Sequence, residues 1–470
     1  MFEFNTRCVG FGEGNPTGGA ISKASSLPPP CARRAPRGAC LGGVPDNNRV
    51  TYEEALAHIS RLGRFGMKLG TERTAAILDR LGNPERGMKG ALIAGTNGKG
   101  STAACLASIL QSAGHTVGFM PKPHLIAYTE RIQVNGVPIS ERDFVDTLET
   151  LVPTFDAVGS EMGQATEFEM LTAMALAYLA PRVDRLVCEV GLGGRLDATN
   201  ALDLGIALIT NIDLDHQKYL GDTIEQIARE KAAIIKPGNH VITGCEGVAL
   251  DIVEESANAA NSRIWRLGRE IEVESKSLGW DGHLVTVHGP GFAHNDLELR
   301  LIGEYQTANA ALAVAAAHAL DDVTDDAVRG GLASTIWPGR LQVISTEPRI
   351  ILDGGHNPAA MTKSGAALRR LIGSERLIAV FAMLSERDPR ALLSALRTLW
   401  PDRVVFTEPA SARGHAISPD ELTAIYGEGG EAVRPARAAL ERARELAGPD
   451  GNVLVCGSLY LVGEILALTV

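Results

Sequence analysis

The sequence predicts an α/β fold in two parts, a large domain built on a mostly parallel sheet and then a smaller α/β domain. Three observations predict it. Short apolar runs alternate with helical segments, as in Ala91–Ala94, Leu186–Val190 and Ile206–Thr210. Glycine or polar residues follow directly on those runs. The rhythm breaks at Trp337-Pro338-Gly339-Arg340 and then resumes. Strands covered by helices on both faces read as continuous apolar runs, and their ligands sit beyond the carboxyl ends of the strands.

Taken in order, residues 1–48 are rich in Gly, Pro, Ser and Ala and hold no hydrophobic period. Such a stretch cannot bury enough surface to offset its ordering entropy. It is expected to be a disordered extension, or the product of a start codon placed too early; a faint likeness to an organelle transit peptide comes from its arginines. No apolar core of a signal peptide is present in it. Thr51 and Glu54 form a capping-box pattern, with Ala55, Ile59 and Leu62 as the apolar face of the helix they open. Residues 66–70 read as a loop, and Thr74–Leu81 as a helix closed by Gly82-Asn83-Pro84.

The α/β rhythm occupies the rest of 49–336. Strand Ala91–Ala94 enters a Gly-rich turn and a helix over Ser101–Ala113. Strand Ile206–Thr210 ends at Asn211, Asp213, Asp215 and His216, and Val241–Thr243 continues the pattern. His283–His288 and Leu297–Leu301 alternate with period two and predict a small antiparallel element. An Ala-rich helix follows over Thr307–Leu320. Residues 337–470 form the second unit, with strands at Ile350–Leu352, Leu377–Phe381, Arg403–Phe406 and Val453–Cys456. There are no internal repeats.

Composition narrows the function classes. The 470 residues carry a net charge of −11, which disfavours a protein whose task is to grip nucleic-acid backbones. Seven cysteines, an odd number with no C-x-x-C pair, predict reduced thiols of a cytoplasmic protein, with Cys188 and Cys456 packed in strands. No apolar run is long enough for a membrane helix.

The chemistry begins at Gly95-Thr96-Asn97-Gly98-Lys99-Gly100-Ser101-Thr102. Glycines let backbone N–H groups turn toward phosphate oxygens, the helix N-terminus adds a positive dipole end, and Lys99 adds a full charge. This is a P-loop ATPase-type turn, but Gly100 stands between the lysine and the hydroxyls, and Ile93 stands where a first glycine is usual. The G-T-N-G-K-G-[ST] form resembles that of the Mur ligase superfamily, which makes amide bonds through acyl phosphates. Further segments extend the resemblance: Pro123-His124-Leu125, Thr129–Ile132, Val134-Asn135-Gly136 and Thr166–Glu169. Glu189 through Asn200, Asn211–His216, Leu220-Gly221 and Glu230 through Gly238 follow. In the second unit stand Trp337–Gln342, Leu352–Pro358 and Gly457–Tyr460. Over residues 50–470 the ordered series resembles the folylpolyglutamate synthase/dihydrofolate synthase family.

The resemblance implies an ATP-dependent ligase that adds L-glutamate to dihydropteroate, to reduced folates, or to both. It implies a second domain of Rossmann-like type, two Mg²⁺ ions, and a monomer handling small molecules, with no nucleic acid or membrane partner. Gly95 to Ser101 would hold the phosphates, joined by Asn309, and by Gln306 near the adenine. Arg340 would meet phosphate and Asp353 the ribose or base. Lys99, His216, Lys231 and His356 would be catalytic, with His356 facing the γ-phosphate. A carboxylate such as Glu189 suits Mg²⁺ on ligand chemistry alone. Ser101, His216 and a carbamylated Lys231 join it as metal ligands only through the resemblance. Thr166, Glu167, Phe168, Glu169, Arg195, Leu196 and Asp197 would contact the pterin-bearing substrate. Gly339 and Trp337-Pro338 would neighbour a hinge.

Lys122 departs from the family pattern, which has Ser before Pro-His-Leu and uses it as a metal ligand. A charged lysine has only donors and cannot ligate. Its ammonium can take over part of the metal's charge compensation, the first metal can rest on Ser101 and Glu189 alone, or the site can serve another substrate. A Mur-type ligase joining a non-folate acid to an amine or amino acid, or a nucleotide-binding paralogue without catalysis, are therefore the alternatives. Gly355 and Ser385-Glu386-Arg387-Asp388 are milder departures.

Overall fold

The computed structural model describes residues 50–63, 70–321 and 323–469. The extension expected over 1–48, the loop reading at 66–69, the side chain of Leu62 and three of the seven cysteines lie outside the described residues.

An eight-stranded sheet organises the first part of the chain. Its order is Val137–Pro138, Gln133–Val134, Val117–Met120, Arg185–Glu189, Gly90–Ala94, Gly205–Ile209, His240–Thr243, Arg263–Arg266. Gln133–Val134 pairs antiparallel with both of its neighbours, and the other pairs are parallel. Gly90–Ala94 is central, in register with Leu186–Glu189 on one side and Gly205–Ile209 on the other. Its side chains alternate between two cores. Ala91 and Ile93 pack with helices Lys99–Ser112 and Tyr305–Leu320, while Leu92 and Ala94 pack with Glu141–Met162 and Glu167–Leu179. Both faces are thus covered, as a parallel sheet requires.

The helix Tyr305–Leu320 is buried along almost its whole length, with Ala310, Ala311, Ala313, Ala315, Ala316 and Ala317 at 0% exposure. Small side chains let it lie close against Lys99–Ser112, which fixes the start of that helix beneath the phosphate loop. Glu272–Ser277, His283–Gly289 and Phe292–Leu299 form the antiparallel element, whose Val285, Val287, Leu297 and Leu299 join the same core.

After Trp337 the chain builds a six-stranded sheet in the order Gln342–Thr346, Arg349–Leu352, Asn452–Cys456, Leu377–Phe381, Arg403–Phe406, Gly430–Ala432. Only the edge strand Gln342–Thr346 runs antiparallel. Apolar clusters fill both faces of this sheet too. The described cysteines, Cys105, Cys188, Cys245 and Cys456, are buried and unpaired. No helix among the described residues is long and apolar enough to cross a membrane.

Candidate active site

The phosphate loop leaves the carboxyl end of the central strand, where the neighbouring strands end at Glu189 and Ile209. Gly98 has φ +85 and caps the helix that begins at Lys99. A Cβ there would lie 2.4 Å from Asn309 Oδ1, so only glycine fits. Gly100, the residue that separates this loop from the common pattern, has Trp337 above it. A Cβ at 100 would lie 2.5 Å from Trp337 Cζ2. Trp337 is therefore a packing residue that seats the linker on the phosphate-loop helix, with its ring 5.7 Å from that of Phe119.

The loop is stitched to the strand end beside it. Asn211 Oδ1 accepts from the Asn97 N–H at 3.0 Å, and its Nδ2 donates to Asn97 O at 2.9 Å. Thr96 Oγ1 exchanges hydrogen bonds with the Asp213 backbone at 2.9 and 3.1 Å. Lys99 and Lys231 both donate to Gly95 O, at 3.1 and 2.8 Å. Lys231 is only 5% exposed. Burial, reinforced by the charge on Lys99, brings its pKa down to about 7.

Glu189 is 4% exposed, and burial raises its pKa against the pull of Lys99. Its Oε2 accepts from the Lys122 N–H at 3.0 Å. The Lys122 ammonium donates to Glu189 O at 2.8 Å and lies 4.5 Å from the centre of the Phe168 ring. His216 sits at a left-handed position (φ +51) with its imidazole pKa lowered, chiefly by burial, so the ring is neutral at pH 7.

The second half of the chain completes the cavity. Arg340, Asp353 and His356 join Lys99, Glu189 and Lys231 around a space of 620 Å³. Asp353 is 3% exposed and accepts from the Leu341 and Gly355 N–H groups at 3.2 and 3.0 Å. A carbonyl can only accept, so the 2.8 Å contact of His356 Nδ1 with Gly354 O fixes the proton on Nδ1 and leaves Nε2 with its lone pair. Burial pushes this imidazole down to about 3.

Three residues that the sequence reading left without a role, Asn357, Asp215 and Arg387, join the two halves together with Asn97 of the phosphate loop. Asn357 Nδ2 donates to Asn97 Oδ1 at 3.0 Å and to Asp215 Oδ2 at 2.9 Å. Arg387 pairs with Asp215 at 2.9 Å. Burial alone would raise the Asp215 pKa, but Arg387, His216 and the Asn357 amide hold it down at about 2. All four residues stand inside quoted motifs, yet their partnerships span 142 to 260 positions and have no local signal.

Several expected substrate contacts lie off the cavity wall. Thr166 and Glu169 form a reciprocal cap on helix Glu167–Leu179, and Glu169 also pairs with Arg73 at 3.0 Å. The pattern T-x-x-E is a helix-start signal in its own right, which the sequence reading overlooked. Glu167 accepts from Tyr128 Oη at 3.0 Å, and Phe168 alone of the four lines the cavity. Arg195 is an exposed partner of Glu230 at 2.8 Å. The Leu196 carbonyl accepts from Gly70 N. Asp197 holds Leu192 N at 2.8 Å and Thr199 N at 3.0 Å, and so shapes the Gly191–Gly193 turn that does line the cavity. Asn309 lines the cavity, while Gln306 sits behind it and accepts from its Nδ2 at 2.8 Å.

Comparison with known proteins matches residues 93–317 to the Mur ligase middle domain and residues 339–459 to the Mur ligase glutamate ligase domain. The dihydrofolate synthase/folylpolyglutamate synthase of Bacillus subtilis is 36% identical over 74% of this chain and 84% of its own length. The enzyme of the same description from Escherichia coli is 34% identical over 87% of this chain and 94% of its own. The folylpolyglutamate synthase of Mycobacterium tuberculosis, solved with ADP and AMPPCP, superposes with a TM-score of 0.83 at 31% identity, covering 89% of this chain and 99% of that one. An Escherichia coli structure with DHPP and ADP gives 0.80 at 31% identity, covering 88% and 97%.

Proposed function

The chain belongs to the folylpolyglutamate synthase/dihydrofolate synthase family of Mur-type ligases, and from that premise we propose how its own residues carry out the family's reaction. It is an ATP-dependent ligase that adds L-glutamate to dihydropteroate, to reduced folates, or to both, through an acyl phosphate. The observation that carries this is one cavity lined by the phosphate loop on one side and by Arg340, Asp353 and His356 on the other.

An acceptor carboxylate oxygen attacks the γ-phosphorus, the bond to ADP breaks, and ADP leaves. The glutamate amine then attacks the acyl carbon, the acyl C–O bond breaks, phosphate leaves, and the amine loses a proton. Little covalent chemistry falls to the protein, so charge and position decide the rate. Lys99 neutralises phosphate oxygens at the loop, and Arg340 does so from the second half. Asp353 ties the backbone next to Arg340 to that at Gly355 by accepting from the Leu341 and Gly355 N–H groups. His356 offers an unprotonated Nε2 to the incoming amine. Phe168 supplies the apolar wall on the acceptor side, with Thr166, Glu169 and Asp197 as its scaffold.

Mg²⁺ fits this chemistry. Glu189 is a buried carboxylate whose pKa burial raises against the pull of Lys99, Lys122 and Arg340, and Ser101, 3% exposed, stands in the first turn of the phosphate-loop helix. A Mg²⁺ site needs only one or two protein oxygens together with phosphates. When bound, it neutralises phosphate oxygens. His216, neutral, and Lys231 would hold a second ion. Carbamylation of Lys231 needs its free amine, and a pKa of about 7 supplies it at neutral pH. The carbamate would replace one of two cations that share the Gly95 carbonyl by an anion. Carbon-13 bicarbonate labelling followed by NMR tests it, with a carbamate signal lost in Lys231→Met as the expected result. A cytoplasmic monomer that handles small molecules is part of the same reading and rests on the family resemblance.

Glutamate-dependent ADP release tests the function. Release is expected only when glutamate and a pteroate or folate acceptor are both present, and Lys99→Met is expected to lower it about 100-fold or more. Release that ignores the acceptor would count against the reading.

A further inference from the structure

Lys122 occupies a position that the reaction gives a meaning. Its backbone N–H holds Glu189 Oε2, its ammonium donates to Glu189 O, and the Phe168 ring faces that ammonium. The side chain lines the same cavity as Lys99 and Arg340. Glu189 therefore shares this cavity with Lys99, Lys122 and Arg340, and Asp353 is a second buried carboxylate in its lining. A divalent ion brought to Glu189 meets the repulsion of these three cations, while a triphosphate is drawn by them.

We propose that the Lys122 ammonium is a built-in cation on the acceptor side of the cavity, which supplies part of the phosphate neutralisation and weakens the divalent-ion site at Ser101 and Glu189. The inference rests on the ligase reading, because it takes ATP as the ligand that the charge meets. The geometry supports a charge role over a packing role. A lysine kept for its stem would turn its head to solvent, whereas this head is held inside by a carbonyl and a ring.

The test is Mn²⁺ binding to the protein saturated with AMPPCP, followed by electron paramagnetic resonance, so that no acceptor and no turnover are needed. Lys122→Met removes the charge and keeps most of the length. It is expected to tighten the weakest Mn²⁺ site at least tenfold, on the order of what one nearby charge does to a divalent ion. Lys122→Arg keeps the charge and should bind Mn²⁺ within about threefold of the unchanged protein. Lys122→Gln replaces the Met variant if that one does not fold, judged by circular dichroism and urea unfolding. Unchanged or weaker Mn²⁺ binding on loss of the charge overturns the proposal. Because the readout is metal affinity, a failed glutamylation assay would sink the ligase reading without touching this result.

Discussion

Lys231 carries a charge that its surroundings disfavour. Its pKa of about 7 lies below the ordinary 10.5. Between those two values the unfolded chain holds more protons, so this residue makes stability rise with pH across that window. Below it, the full cost of burying the charge remains. In CO₂-free buffer Lys231→Met should therefore be more stable than the unchanged protein at pH 6, on the order of 1–3 kcal/mol, with the gap closing toward pH 10. Urea unfolding at the two pH values checks it, and a gap that widens with pH would contradict it. The loop residues were legible because glycine, lysine and hydroxyl chemistry is local. The reason for Gly100 was not, since it is the indole of Trp337, 237 positions away, that forbids a side chain there.

At the scale of elements, the helix Glu167–Leu179 separates a structural role from a binding one. If Thr166 caps this helix, Thr166→Ala should lower stability by about 1 kcal/mol and leave the KM for the acceptor within twofold. A KM raised tenfold with stability unchanged would return Thr166 to the substrate. The same segment marks where element reading failed. Helix Glu141–Met162 has Pro153 in its interior, which argues against a helix in sequence, and Glu167–Leu179 is apolar on nearly all sides, so no period emerges. The inner strands of both sheets read correctly because burial on both faces leaves an unbroken apolar run, whereas Val117–Met120 and edge strands such as Arg263–Arg266 and Gly430–Ala432 were not read. The Ala-rich helix also read correctly, and its small residues set a further expectation. Ala313→Leu would overpack this core and should cost about 1–3 kcal/mol in thermal or urea unfolding.

Over the whole molecule, Asn97, Asn357, Asp215 and Arg387 join the two sheets at the cavity. Asp215 is held at about 2, below its ordinary 3.8, so its contribution to stability is present above pH 4 and is lost as pH falls through 2. Asp215→Asn should cost about 2 kcal/mol at pH 7, with the difference from the unchanged protein vanishing between pH 4 and 2. It should also weaken ATP binding, because the residues proposed to meet the nucleotide come from both halves. Sequence reading named Lys99, Glu189, Arg340 and Asp353, which line one cavity, but not this clamp, since Asp215 and Arg387 stand 172 positions apart. The most direct test of the molecule's role is product mass. The protein is given ATP, Mg²⁺ and L-glutamate, once with dihydropteroate and once with a reduced folate. A gain of one glutamyl residue on at least one acceptor, lost without ATP, is the predicted result. No gain on either acceptor, from protein that still binds ATP, would contradict a folate ligase.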